Sequence, residues 1–152
     1  MITDLPSSFK HTVISDGILS ACSQSPSKVA YKHGQNTRTY HELKERIDSI
    51  SGIIHSFQIP MKCNIAIVAS NSIEYMEIVL AASQLGHPIA TVNPKLTAND
   101  IVSICEDAKA KLVFVDQKVA SLLVGRNIRG VQEIIGIDNE METLIAQTEC
   151  PS

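Results

Sequence analysis

The chain has 152 residues, a length suited to one domain that buries roughly two-thirds of its unfolded surface. Its 44% apolar content is that of an ordinary globular chain. A formal net charge of −3, no Trp, three Tyr and three Phe exclude a basic face for nucleic acid and an aromatic platform for single strands.

The start of the chain, MITDLPSSFKHTVISDG, lacks the basic segment and apolar core of a secretory signal. The longest apolar stretch, around Ile78–Ala82, is far short of the roughly 20 residues of a membrane span. Cys22, Cys63, Cys105 and Cys150 have no C-x-x-C spacing, so reduced thiols and a cytoplasmic setting are expected.

Residues 1–26 read as a helical lead-in. Val13, Ile14, Ile18, Leu19 and Cys22 recur at roughly helical spacing, and Pro26 closes the run. KVAYKHGQNTRTY reads as two short strands around a His33-Gly34-Gln35-Asn36 turn. A helix comes next, with an apolar stripe of Leu43, Ile47, Ile50, Ile54 and Phe57 and a Thr39/Glu42 capping box. Gly52 lies inside it, where glycine costs up to about 1 kcal/mol against Ala; close packing is the expected reason.

From residue 64 a βα pattern repeats. NIAIVAS is a continuous apolar strand, and a helix from Asn71 to Leu85 succeeds it, with Asn71 and Glu74 as a cap pair and Gly86 as its stop. Ile73, Met76, Ile78, Val79, Leu80, Ala81 and Ala82 make this helix apolar on most sides, which predicts deep burial. PIATV is the next strand. The helix after it starts at Thr97 and Asp100, with Ile101, Ile104, Cys105 and Ala108 as its stripe. KLVFVD is a strand, KVASLLVGRNI a short helix and QEIIGID the last strand. Near-continuous apolar strands alternating with helices predict a mostly parallel α/β sheet covered on both faces, with flavodoxin-like βα repeats, preceded by a helix and a short hairpin. The expected core includes Leu43, Ile47, Ile54, Ile65, Ile67, Val79, Leu80, Ile104, Val113 and Val115. The tail NEMETLIAQTECPS has helical character with no strand after it.

Ligands in such sheets bind beyond the strand carboxyl ends, which here carry Asn71, Asn93, Asp116 and Asp138. The simpler role for each is to cap a helix or shape a turn. A phosphorelay receiver would need an acidic pair after its first strand, where this chain has Asn71-Ser72. No two of the seven glycines are spaced as G-x-G, and none precedes Lys-Ser or Lys-Thr, so neither a dinucleotide fingerprint nor a Walker loop is present. The five histidines lack ligand spacing; His87, between Gly86 and Pro88, reads as a turn residue. Lys95 and Lys118 are isolated cations near the strand ends.

RTYHELKERIDSISGII is similar to the TYxEL entry of adenylate-forming enzymes. The segment from IAIVASNSIEYM to KLVFVD resembles the stretch after that motif in acyl-CoA synthetases, nearest the 4-coumarate–CoA ligase and luciferase-like branch. Asn71 with Glu74-Tyr75, Gly86, Thr91-Val92-Asn93-Pro94 and Asp107-Ala108-Lys109-Ala110 agree in order and spacing, over residues 10 to 138. Lys62-Cys63 stands where the family usually has Gly-Asp, Ser70-Asn71 where it has Pro-Asn, and His87-Pro88 where a small residue succeeds the glycine.

The resemblance implies a ligase that uses ATP and magnesium to turn a carboxylic acid into an acyl-adenylate and then a CoA thioester, in fatty acid or phenylpropanoid metabolism. The parts it implies for that chemistry are a Ser/Thr/Gly-rich phosphate loop, a ribose-binding aspartate and a lysine on a C-terminal domain. None has a counterpart here. No catalytic, cofactor-binding or metal-binding residue is therefore assigned to this chain; ATP, magnesium and CoA belong to a full-length relative. Residues 27–138 are expected to be the N-terminal α/β subdomain and 139–152 an incomplete next unit. The remainder of the ligase is the expected partner. A full-length relative could be peroxisomal, but no C-terminal targeting tripeptide stands here. Two alternatives are a stand-alone scaffold or interaction protein derived from the family, and an unrelated flavodoxin-like regulator.

Overall fold

A computed structural model describes residues 14–149; Val13, Cys150 and the other residues outside that span are not described. Helix α1 (Ile14–Gln24) leads into an antiparallel hairpin, β1 (Val29–His33) and β2 (Asn36–Thr39). The expected turn is present, with Gly34 at φ +61°. Helix α2 (Tyr40–Ser56) begins on the expected capping box: the Thr39 amide donates to Glu42 Oε2 at 2.9 Å, and the Glu42 amide to Thr39 Oγ1 at 3.2 Å.

The remaining elements are β3 (Ile65–Val68), α3 (Ile73–Gln84), β4 (Ile89–Val92), α4 (Ala98–Asp107), β5 (Leu112–Val115), α5 (Gln117–Leu122), β6 (Glu133–Gly136) and α6 (Glu140–Glu149). The four strands form one parallel sheet in the order β4-β3-β5-β6, as the sequence pattern predicts. Ile67 sits level with Thr91 on one side and Phe114 on the other.

Alternation along the strands splits the core into two layers. Ile65, Ile67, Leu112, Phe114 and Ile135 face α2, α3 and α6. Ala66, Val68, Val113 and Val115 face α4 and α5, whose Ile101, Cys105 and Val119 cover them together with Leu123 at the C-cap of α5. Every residue of β3 and β5 is buried, which explains why these strands read as continuous apolar runs rather than alternating ones. The tail forms α6, whose Met141 and Ile145 belong to the first layer. No helix among the described residues is long and apolar enough to cross a membrane.

Several expectations are corrected. Ser72, not Asn71, caps α3: its hydroxyl accepts the Tyr75 amide at 3.1 Å. Within α3, Met76 is 38% exposed and Val79 only partly buried, so this helix is less deeply buried than its composition predicts. Ile104 is 39% exposed, because the buried line of α4 runs through Ile101 and Cys105 and leaves Ile104 on its flank. Gly52 is exposed, and a Cβ there meets nothing within 4 Å among the described residues, so close packing is not its reason.

Two stability measurements check this packing. Ile67→Ala, at a fully buried site, should cost about 2–5 kcal/mol in urea unfolding, and a loss below about 1 kcal/mol would contradict its place in the core. Gly52→Ala should stabilise the chain by up to about 1 kcal/mol, because nothing stands where the methyl group goes.

Candidate functional site at the strand carboxyl ends

The chain moves from β3 to β4 on one side of the sheet, then returns past β3 to place β5 on the other. The crevice between the carboxyl ends of β3 and β5 is thus the topological switch point, where open α/β sheets bind ligands. Ser70 and Asp116 meet there, and the Ser70 amide donates to Asp116 Oδ2 at 3.2 Å. The other carboxylate oxygen of Asp116 accepts the Val119 amide at 2.9 Å and caps α5. One aspartate therefore bridges the two strand ends and starts the next helix.

The neighbouring groups behave alike. Asp138, past β6, accepts the Gln117 amide at 3.2 Å, which joins that strand end to the β5 turn. Asn93 accepts the amide of Lys95 at 2.9 Å, and Thr97 caps α4 by accepting the Asp100 amide at 3.2 Å. Glu140 accepts the Gly136 amide at 2.9 Å. Of the four strand-end residues marked in the sequence, Asn93, Asp116 and Asp138 hold turns together, and Asn71 is exposed beside the cap. Lys95 and Lys118 are exposed and make no ion pair among the described residues.

His87 takes the turn role expected of it. The ring is buried, and its Nδ1–H donates to the Cys63 carbonyl at 3.1 Å, tying the turn before β4 to the turn before β3. Burial pushes the Cys105 thiol up to about 11, which makes it inert as a nucleophile.

The caps Ser72, Thr97 and Asp116 each accept one first-turn amide of α3, α4 and α5, those of Tyr75, Asp100 and Val119. No group of three His, Cys, Asp or Glu among the described residues could hold a metal ion.

The structure also holds a charged cluster that the sequence reading did not find. Glu77 of α3 is completely buried. Its Oε2 accepts a 2.6 Å hydrogen bond from Arg46 Nε, while Arg38 Nε lies 3.4 Å from Oε1 without hydrogen-bond alignment. The far side of the Arg46 guanidinium donates to both carboxylate oxygens of Glu142, at 2.7 and 2.6 Å. Burial pushes Glu77 above the usual carboxylate range despite the pull of Arg46. Hydrogen bonding to Arg46 holds Glu142 below it. The two differ because the Glu77 side chain is 0% exposed and that of Glu142 46%. Burial lowers Arg46, but its two carboxylates outweigh that and raise it. One signal was available in the sequence: Glu77 stands four residues after Ile73, on the apolar face of α3.

The sequence pattern of the AMP-binding enzyme family matches residues 19–150. This chain belongs to that family. Its match extends through α6, beyond the segment that carried the resemblance. Over 110 residues the chain is 28% identical to probable CoA ligase CCL5 of Humulus lupulus, covering 72% of this chain and 19% of that protein. Over 100 residues it is 27% identical to 2-succinylbenzoate–CoA ligase of Geobacillus kaustophilus, covering 66% and 20%. The chain thus spans about a fifth of the length of these relatives. The fold matches the N-terminal domain of FACL13 from Mycobacterium tuberculosis with a TM-score of 0.82 at 18% identity, over 93% of this chain and 39% of that one.

Arg46→Met tests the charged cluster. It leaves Glu77 buried without its hydrogen-bonded cation, which should cost about 3–5 kcal/mol near neutral pH. A carboxylate raised in the folded state loses stability as pH climbs above its unfolded value of about 4.3. Glu142, which Arg46 lowers in the native chain, contributes stability above that same value and loses this contribution in the variant. Both effects make the substitution cost more at about pH 8 than at about pH 4.5. Urea unfolding at the two pH values reads the difference, and an equal cost at both would contradict the assignment.

Proposed function

We propose that this chain is an amino-terminal scaffold of an ATP-dependent acyl-CoA ligase, and that it does not activate an acid by itself. The whole enzyme would join a carboxylate to AMP with release of pyrophosphate, then pass the acyl group to the CoA thiol with release of AMP. Family membership and the CoA ligases among the relatives support the reaction class. One observation supports the division of labour: the switch-point crevice is spanned by the chain's own Ser70–Asp116 hydrogen bond. In this reading no residue here is catalytic, cofactor-binding or metal-binding, and ATP, magnesium and CoA are held by the remainder of the ligase. Residues 27–138 form the subdomain body, and 139–152 open the next unit. The free thiols of Cys22, Cys63 and Cys105 support a cytoplasmic setting.

ATP–pyrophosphate exchange by the purified 152-residue chain, with a panel of fatty and aromatic acids, tests this. The expected result is no acid-dependent exchange above a blank. Nucleotide affinity that depends on Lys95, at the strand carboxyl ends, should be no tighter than millimolar, about −4 kcal/mol. Acid-dependent exchange abolished by Lys95→Ala would make the chain a minimal enzyme and overturn the proposal. The native protein should also be several times heavier than 16.5 kDa; a native mass equal to that value would favour a stand-alone scaffold.

A further inference from the structure

The opposite pole of the sheet, at the strand amino ends, carries a groove of about 600 Å³, within the range of roughly 300–1,000 Å³ of small-molecule sites. Lys62, Lys109, Lys111 and Arg129 line it, four of the thirteen Lys and Arg in a chain of net charge −3. Glu106 is the one carboxylate in the lining and is already engaged. Its Oε1 accepts the Arg129 amide at 3.0 Å, and its Oε2 lies 3.5 Å from the Arg129 guanidinium. The three lysine ammonium groups make no ion pair among the described residues. Self-repulsion among uncompensated cations opposes the folded state unless an anion joins them.

Two of these lysines occupy backbone positions that suit glycine. Lys62, at φ +62°, is the third residue of a turn closed by the Cys63 amide on the Pro60 carbonyl at 3.2 Å; positive φ there favours Gly. Lys109, at φ +53°, comes directly after the C-cap of α4. Its amide donates to the Glu106 carbonyl at 3.0 Å and that of Ala110 to the Cys105 carbonyl at 3.1 Å, a helix stop that also favours Gly. The negative end of α4 accounts for a cation at 109, but it does not account for Lys62. Both strained positions send lysine to the same groove.

The base of the groove is fixed in advance. Asn64 Nδ2 donates to the Ala108 carbonyl at 2.6 Å, the Lys111 amide to the Asn64 carbonyl at 2.9 Å, and the Gln132 amide to the Lys111 carbonyl at 2.7 Å. The geometry points to a binding site for a soluble ligand bearing adjacent phosphate groups, held by Lys62, Lys109, Lys111 and Arg129 at the amino pole of the sheet. Several cations around one engaged carboxylate suit a chain of phosphates better than a single one. The exposed Arg129 guanidinium can add a two-point contact to one of them.

Isothermal titration of the 152-residue chain with tripolyphosphate tests this, with orthophosphate and sulfate at matched ionic strength as comparisons. Saturable one-to-one binding of tripolyphosphate is expected, at least tenfold tighter than of orthophosphate and weakened by added salt. The double variant Lys62→Gly, Lys109→Gly should bind at least tenfold more weakly with a Tm equal to or above that of the parent, because glycine suits both positions. Lys111→Gln should also weaken binding, while Lys95→Gln with Lys118→Gln, at the other pole, should not. Absence of saturable binding, or equal losses from substitutions at the two poles, would overturn the site. Sedimentation with phosphatidylcholine vesicles containing phosphatidic acid, without tripolyphosphate binding, would also overturn it, in favour of a membrane surface.

Discussion

The docking of α2, α3, α6 and the hairpin depends on one buried ion pair, Arg46 with Glu77. A fully buried carboxylate loses several kcal/mol of hydration, and one cation at 2.6 Å offsets this only when the remaining groups are placed well. Arg46 lies between the Glu77 carboxylate of α3 and the Glu142 carboxylate of α6, while Arg38 reaches Glu77 from β2. A shift of α2 along α3 would leave the Glu77 charge in the interior without its hydrogen-bonded cation. The apolar layer of Ile47, Ile54, Leu80 and Phe114 supplies the driving force for this packing. A buried pair adds little beyond what apolar residues of the same volume would give, so its contribution is to select one arrangement among many greasy ones.

That division also explains what was legible in the sequence. Strands β3 to β6 and their parallel pairing were readable because burial on both faces leaves unbroken runs such as IAIV and LVFV. Caps at Thr39 and Thr97 were readable because they obey local rules within four residues. The choice of Ser72 over Asn71 was not, since both residue types are good caps and stand side by side. The exposure of Ile104 was likewise hidden: its spacing fits a stripe, but the width of the sheet beneath α4 sets how many of the stripe's members are covered. Glu77 was hidden for a different reason. Its partner Arg46 stands 31 residues away in sequence, the other carboxylate on Arg46, Glu142, stands 96 residues from that arginine, and pairing at that range is settled by topology alone.

The candidate site was legible as a set of positions but not as chemistry. Asn, Asp and Ser at strand ends have two uses, since the same side-chain oxygen can meet a ligand or a backbone amide. Local sequence cannot separate the two, because the amide that occupies Asp116 Oδ2 belongs to Ser70, 46 residues earlier. Only the return of the chain past β3 brings them together.

The distribution of charge argues the same point from energetics. For a phosphate to enter the switch-point crevice, it would have to displace Asp116 from the Ser70 amide and come close to a carboxylate that also caps α5. The incoming anion would take over the exposed Ser70 amide but would face the displaced negative charge. Asp138, which bridges the next pair of turns, adds a second like charge along the same edge. Meanwhile the cations of the sheet gather at its amino pole, around Lys62 and Lys111. Asp116 and Asp138 thus set two carboxylates along the edge where parallel sheets ordinarily bind phosphate. In the proposed reading, chemistry at the carboxyl edge, where this chain offers the exposed Lys95 and Lys118, draws its further positive charge from the remainder of the ligase.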